Sequence, residues 1–249
     1  MKVLIINGSP RKGGNTTIAL NQMIGVFEGY GVETKYVQVG NMSIRGCLAC
    51  QTCYKNAKCA IDDVVNEVAK KFEACDGMVV GSPVYYAGAN GTLTAFLDRL
   101  FYSTRFDKRM KVGAAVVAAR RGGLSSTFDE LNKFFTISGM PVASSHYWNM
   151  IHGETPEDLA QDEEGLQTLR NLARNGGVNT AAEQQDDSRY MPTGPYPDRS
   201  ADEKVAELKH LAALATAHSA ANLTWHRAYI ADKDEIFLPA RMRDYWGSV

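Results

Sequence analysis

Lys2–Thr17 reads KVLIINGSPRKGGNTT, and its three parts decide the fold. Lys2 to Asn7 is a short, largely β-branched apolar run, the pattern of a strand buried on both faces of a parallel sheet. Gly8 to Gly14 is rich in glycine with one proline and reads as a turn. From Asn15 to Tyr30 apolar residues, among them Ile18, Met23 and Val26, recur at helical spacing. Strand, glycine-rich turn and helix in that order form the first unit of an alternating α/β chain.

The alternation continues downstream. Glu33 to Val39 reads as a second strand, Asp62 to Phe72 as a helix with Val64, Val65, Val68 and Phe72 on one side, and Gly77 to Gly81 as a third strand. Gly88 to Tyr102 reads as a helix carrying Leu93, Phe96, Leu97 and Leu100. Lys111 to Ala119 reads as a fourth strand, Ser125 to Ile137 as a helix, and Pro141 to Met150 contains a fifth strand. Strands and helices that alternate over short links build a doubly wound parallel sheet covered on both faces. Five strands favour the flavodoxin-like order 2-1-3-4-5, in which ligands sit at the carboxyl ends of the strands where the order reverses. The expected fold is therefore α/β: a flavodoxin-like domain over residues 1–174 with a C-terminal extension over 175–249. In that extension Gly176 and Gly177 are expected to interrupt the preceding helix, and Asn175 to Ser200 reads as an irregular segment. Ala201 to Ala221 reads as a helix with Val205, Leu208 and Leu211 on one stripe. The tail holds Trp225, Tyr229, Phe237, Tyr245 and Trp246, placed to pack on the chain's own core or on a partner subunit.

The 249 residues are 45% hydrophobic and carry a formal net charge of −1, so a sizeable core is expected and no electrostatic pull toward nucleic acid or an anionic membrane surface. No apolar run approaches the roughly 20 residues of a membrane span. The opening MKVLIINGSP lacks the length and cleavage pattern of a signal peptide, so a cytoplasmic location is the default expectation. The five histidines, at 146, 152, 210, 218 and 226, show no ligand spacing and read as structural or surface residues; His152 lies nearest the ligand edge. Asp98 and Arg99 read as packing or salt-bridge residues rather than catalytic groups, and Asp162, Glu163 and Glu164 as a solvated helix face.

Three loops follow strands one, three and four. The first, GSPRKGGNTT, offers the amides of a helix start, the hydroxyls of Ser9, Thr16 and Thr17, Asn15 as a cap, and the Arg11 guanidinium. It matches neither the P-loop, because Asn15 stands where that lysine would be, nor G-x-G-x-x-G, so a monophosphate such as that of FMN suits it better than ATP or a dinucleotide. The second, GSPVYYAGANG, sets Pro83, Val84, Tyr85 and Tyr86 where a planar ring would lie. The third, AARRGG, couples Ala119, Arg120, Arg121, Gly122 and Gly123 at the same sheet edge. Each loop alone is a weak signal; three suitable loops at the carboxyl edge of one sheet make a flavin site the better account.

Four of the five cysteines fall within CLACQTCYKNAKC, at Cys47, Cys50, Cys53 and Cys59. Four thiolates so spaced can converge on a [4Fe–4S] cluster. A four-cysteine zinc site usually separates two pairs by a longer spacer. Metal-free thiols, made reactive by Lys55 and Lys58, are the third reading. Cys75 stands apart and reads as a buried core residue.

GSPRKGGNT, GSPVYYAGANGTLTAFLDR and the cysteine run, with YWNMIHG and QDEEGLQTLRNLARN, resemble the iron–sulfur flavoproteins among the NADPH-dependent FMN reductases, over roughly Met1 to Arg174. The resemblance implies FMN with its phosphate at Ser9, Arg11, Asn15, Thr16 and Thr17. Pro83, Val84, Tyr85 and Tyr86 would lie near its ring, and Ala119, Arg120, Arg121, Gly122 and Gly123 would close the other side. It also implies a [4Fe–4S] cluster on Cys47, Cys50, Cys53 and Cys59, and a homodimer or homotetramer. The expected activity is oxidoreduction: NAD(P)H as electron donor, FMN as carrier, and a small-molecule or protein acceptor, with no catalytic side chain required. An electron carrier or redox sensor without nicotinamide turnover, and a cluster-free FMN reductase, are the alternatives.

Overall fold

The computed structural model describes residues 1–185. The expectations for the rest of the extension, including the Ala201–Ala221 helix and the aromatic tail, lie outside the described residues. The elements run β1 (Lys2–Asn7), α1 (Asn15–Gly29), β2 (Glu33–Gln38), α2 (Thr52–Asn56), α3 (Val64–Glu73), β3 (Gly77–Tyr85), β4 (Gly88–Ala89), α4 (Gly91–Ser103), β5 (Val112–Ala119), α5 (Leu124–Ile137), β6 (Met150–His152), α6 (Pro156–Leu159) and α7 (Glu163–Gln185).

The sheet has the order β2-β1-β3-β5-β6 with all neighbours parallel, and the two-residue β4 pairs antiparallel to β3 off this path. Leaving β4 aside, this is the expected 2-1-3-4-5 order. Asn7 pairs with Gly81, and Gly81 with Val116, so β1, β3 and β5 release their loops along one edge.

β1 shows why the sheet is buried on both sides. Leu4 and Ile6 pack with α3, α4 and α5 residues such as Phe72, Phe96 and Phe135. Val3 and Ile5, pointing the other way, pack with Leu20, Met23 and Phe27 of α1 and with Leu169 and Leu172 of α7. Each such side chain withdrawn from water contributes about 1.5–3 kcal/mol before entropy is counted. Cys75 is buried in the first of these clusters, as its sequence context implied. No helix among the described residues is long and apolar enough to cross a membrane.

Four boundaries differ appreciably from expectation, each for a local reason. Strand three extends past Gly81 to Tyr85, then turns through Tyr86 and Ala87 (φ 51° and 60°) into β4. Two central residues at positive φ are what the tightest hairpin requires, and no Asn-Gly announces it here. The following helix therefore starts at Gly91, where the Asn90 Oδ1 accepts from the amides of Thr92 (2.7 Å) and Leu93 (3.4 Å). In the fifth-strand region Val142 makes only an isolated bridge to Gly113, and the strand forms at Met150–His152, because Ser144–Trp148 is largely solvent-facing while Met150 and Ile151 are buried. Finally, α7 does not stop at Gly176 and Gly177 but runs on to Gln185. Glycine costs a helix interior only about 1 kcal/mol relative to alanine, and packing of this helix on α1 and the sheet outweighs it.

Candidate functional site

The site begins at Asn7, which sequence reasoning passed over as the last residue of a strand. Its side chain is fully buried. Oδ1 accepts from the Ser9 amide (2.8 Å), and Nδ2 donates to Thr17 Oγ1 (2.9 Å) and to the Tyr36 hydroxyl (2.6 Å). One amide thus holds the loop, the helix start and β2 together. A polar residue ending an otherwise apolar buried strand was the available signal. The loop is tied further by the Gly8 amide donating to the Gly81 carbonyl (2.8 Å), the Arg11 amide donating to Ser9 Oγ (3.2 Å), and Gln38 Nε2 donating to the carbonyls of Ser9 (2.8 Å) and Arg11 (3.2 Å).

Asn15 does not cap α1. The cap position is Gly14, which offers no side chain, and the Asn15 Nδ2 instead donates to the Gly153 carbonyl (2.7 Å). No side chain among the described residues caps the first turn of α1, an arrangement that suits an anion at a helix start. Ser9 and Thr16 are buried, Thr17 is half-buried, and Arg11 is exposed beside them.

The second and third loops meet. A β-carbon on Gly123 (φ 85°) would lie 2.8 Å from Ala87 Cα and 2.9 Å from Val84 Cγ1, so only glycine lets the turn before α5 close on the β3–β4 hairpin. Ser126 Oγ donates to the Ala87 carbonyl (2.7 Å), and Glu130 Oε2 accepts from the Ala89 amide (2.8 Å). Pro83 and Val84 are half-buried, Tyr85 is exposed and Tyr86 fully so. Arg120 pairs with Glu154 (3.2 Å) at the surface; Arg121 and Gly122 are exposed.

A fourth loop, after β6, joins the other three. The Gly153 amide donates to the Ala119 carbonyl (3.1 Å), while its carbonyl receives Asn15. His152, as its position suggested, lies at this edge, 3.5 Å from Asp162. The 9–17 and 119–123 segments thus close on each other through Gly153, and 119–123 closes on 83–87 through Gly123. The donor set fits a flavin monophosphate: helix-start amides, hydroxyls and a guanidinium at one end, and a tyrosine-bearing hairpin at the other.

The four clustered cysteines line one pocket of about 410 Å³, walled also by Tyr54, Ile61, Asp98, Arg99 and Tyr102. None is in a disulfide; Cys47 and Cys50 are exposed, Cys53 and Cys59 half-buried. Among the described residues no three His, Cys, Asp or Glu side chains converge as ligands of one ion. A four-iron cluster asks for something different, one thiolate on each iron spread around a larger object, and four cysteines lining a single pocket supply the donor type and number it needs. The Cys50 thiol is held below its ordinary pKa by hydrogen bonding to Thr52, and burial pushes Cys75 up. Ala49, Gln51 and Ala57 all adopt positive φ (51°, 58° and 51°) without being glycine. Such conformations persist only where the surroundings over-determine them and gather at functional sites.

Arg99 belongs to this pocket. Its side chain is entirely buried and forms a forked pair with Asp63 (2.7 and 2.8 Å), bearing out the salt-bridge reading. Burial would lower its pKa, but the bonds to Asp63 and Cys59 raise it. The sequence signal was an arginine three residues after Phe96, on the apolar stripe of its helix.

Strand order and the loop-lined edge together define a flavodoxin-like α/β protein. The profile of the NADPH-dependent FMN reductase family matches residues 1–155. An iron–sulfur flavoprotein of Methanocaldococcus jannaschii is 36% identical over 182 residues, covering 70% of this chain and 94% of that one. Another, of Methanosarcina thermophila, is 34% identical over 180 residues, covering 70% and 92%. The chain belongs to the NADPH-dependent FMN reductase family and, within it, to the iron–sulfur flavoproteins. It is accordingly an FMN-dependent oxidoreductase. Solved structures share the fold at low identity. RosB with a bound formylriboflavin phosphate intermediate has a TM-score of 0.60 and 15% identity over 96% of this chain and 90% of that one. An NADH:FMN oxidoreductase in its apo form has a TM-score of 0.54 and 16% identity over 71% and 88%.

Proposed function

We propose that the protein takes electrons from NAD(P)H onto FMN at the edge formed by the loops after β1, β3, β5 and β6. They would leave through a [4Fe–4S] cluster on Cys47, Cys50, Cys53 and Cys59 to a small-molecule or protein acceptor. The carrying observation is the closure of that edge: Asn15 on Gly153, Gly153 on Ala119, and Gly123 on Ala87.

In this reading Ser9, Thr16, Thr17 and the first-turn amides of α1 bind the phosphate, and Arg11 adds a charge-assisted contact. Asn15 acts by fixing Gly153, its side chain being committed there. Pro83, Val84, Tyr85 and Tyr86 flank the ring from the hairpin, and Ala119 to Gly123 close the opposite side. The chain's part is placement, hydrogen bonding and control of access; the flavin, when bound, supplies acceptance of a hydride and release of electrons one at a time. Their common pocket supports the cysteines as ligands of the cluster, and the three left-handed residues between them support a loop shaped around an object.

An anaerobic absorbance spectrum tests both cofactors: resolved flavin bands, with a broad shoulder that bleaches on reduction. Steady-state oxidation of NADPH and NADH with ferricyanide or a quinone tests the electron path. Protein that binds FMN yet oxidises neither nucleotide would be a carrier or sensor, and the reductase proposal would fall.

A further inference from the structure

We propose that Arg99 is a positioning residue for the cysteine site: it fixes Cys59 as the last ligand and raises the reduction potential of the cluster. The inference rests on the cluster reading above. It comes from where the guanidinium's donors go. Nε and one terminal nitrogen each reach Cys59 Sγ at 3.4 Å. The terminal nitrogens also reach Arg45 O and Ile61 O, both at 3.2 Å, besides the two Asp63 oxygens.

Two features separate this from an ordinary structural ion pair. First, Arg45 lies two residues before the first cysteine and Ile61 two residues after the last, so one rigid side chain on α4 grips both ends of the cysteine loop. A planar fork of five N–H groups can do that; a lysine ammonium cannot hold all these partners at once. Second, Asp63 alone would satisfy the charge, yet one edge of the fork is turned to sulfur. Asn66 steadies the same residue, its Oδ1 accepting from the Cys59 amide (3.0 Å) and its Nδ2 donating to the Cys59 carbonyl (3.2 Å). Cys59 is thus fixed at backbone and side chain. One-electron reduction makes a cluster and its sulfurs more negative. A buried cation with N–H groups aimed at a ligand sulfur stabilises that reduced form, which moves the potential upward.

The test uses the full chain, purified anaerobically with FMN and cluster. Iron, acid-labile sulfide and FMN are counted per chain, and the cluster potential is measured by reductive titration followed by electron paramagnetic resonance. Arg99→Lys is expected to keep FMN at the wild-type level while the cluster potential moves to more negative values. Arg99→Gln is expected to lose most of its iron while retaining FMN. Should Arg99→Gln fail to fold, Arg99→Lys carries the decision, because it keeps a cation for Asp63. An Arg99→Lys protein with wild-type iron content and wild-type potential overturns the inference. Wild-type protein that binds FMN but holds neither iron nor sulfide overturns the cluster reading itself, a distinct result.

Discussion

Gly40 packs so closely on Gly8 that a β-carbon there would overlap the Gly8 carbonyl and the carbonyl carbon of Ser9. The contact is backbone against backbone, so no side chain can swing aside to relieve it. It also lies where β2 hands over to its loop, with the Gly40 amide donating to the Asn7 carbonyl at 3.2 Å. Gly40→Ala is therefore expected to push the 8–9 segment away and to cost about 1–3 kcal/mol of stability, as overpacking does. FMN affinity should fall at least about tenfold, since about 1.4 kcal/mol of lost contact suffices. Thermal melts and flavin-fluorescence titration read the two effects. Gly25→Ala, in α1 with open space around it, is the control and should not weaken FMN binding.

Arg11 is exposed and no ion pair holds it among the described residues, so its removal should leave the fold unchanged. If its guanidinium meets the phosphate, Arg11→Ala loses a charge-assisted contact of about 1.5–3 kcal/mol, or roughly ten- to a hundredfold in FMN affinity. Riboflavin, which lacks the phosphate, should bind wild type and variant alike. Equal losses for both flavins would place Arg11 somewhere other than at the phosphate.

The alternation of apolar runs and helical stripes made the sheet order legible, because each strand buried on both faces needs an uninterrupted apolar run such as Val3 to Ile6. The glycine-rich turn after it made the ligand edge legible for the same reason that it binds: a helix start bare of side chains. What escaped notice depended on contacts distant in sequence. Asn15 resembles a cap until Gly153, 138 positions away, takes its amide. Arg99 is readable as a salt-bridge residue on the apolar stripe of its helix, but its partners Asp63 and Cys59, 36 and 40 positions away, are not. The Tyr86–Ala87 turn lacks the glycine that would have announced it, and its partners are Gly123 and Ser126 on another loop.

The chain contains five cysteines, and their surroundings divide them four to one. Cys75 is buried among α3 and strand residues, and burial raises its thiol pKa, so its thiolate is scarce near neutral pH. Iodoacetamide at pH 8 is expected to spare all five in anaerobic holoprotein. After iron is chelated from the native fold it should modify Cys47, Cys50, Cys53 and Cys59, and only on denaturation Cys75. Mass spectrometry of the peptides distinguishes the three states. Labelling of all four clustered cysteines at an undiminished rate in iron-loaded protein would refute their ligation.

Gly177 offers the last test, one of the fold rather than the site. It lies inside α7, which continues to Gln185, and a β-carbon built on it meets nothing within 4 Å. Glycine there only adds freedom to the unfolded chain and weakens the helix. Gly177→Ala should therefore stabilise the protein by about 0.5–1 kcal/mol, seen as a higher denaturant midpoint with an unchanged slope. If the helix instead ended before the glycine pair, the added methyl group would have no helix interior to support, and the midpoint would stay where it is.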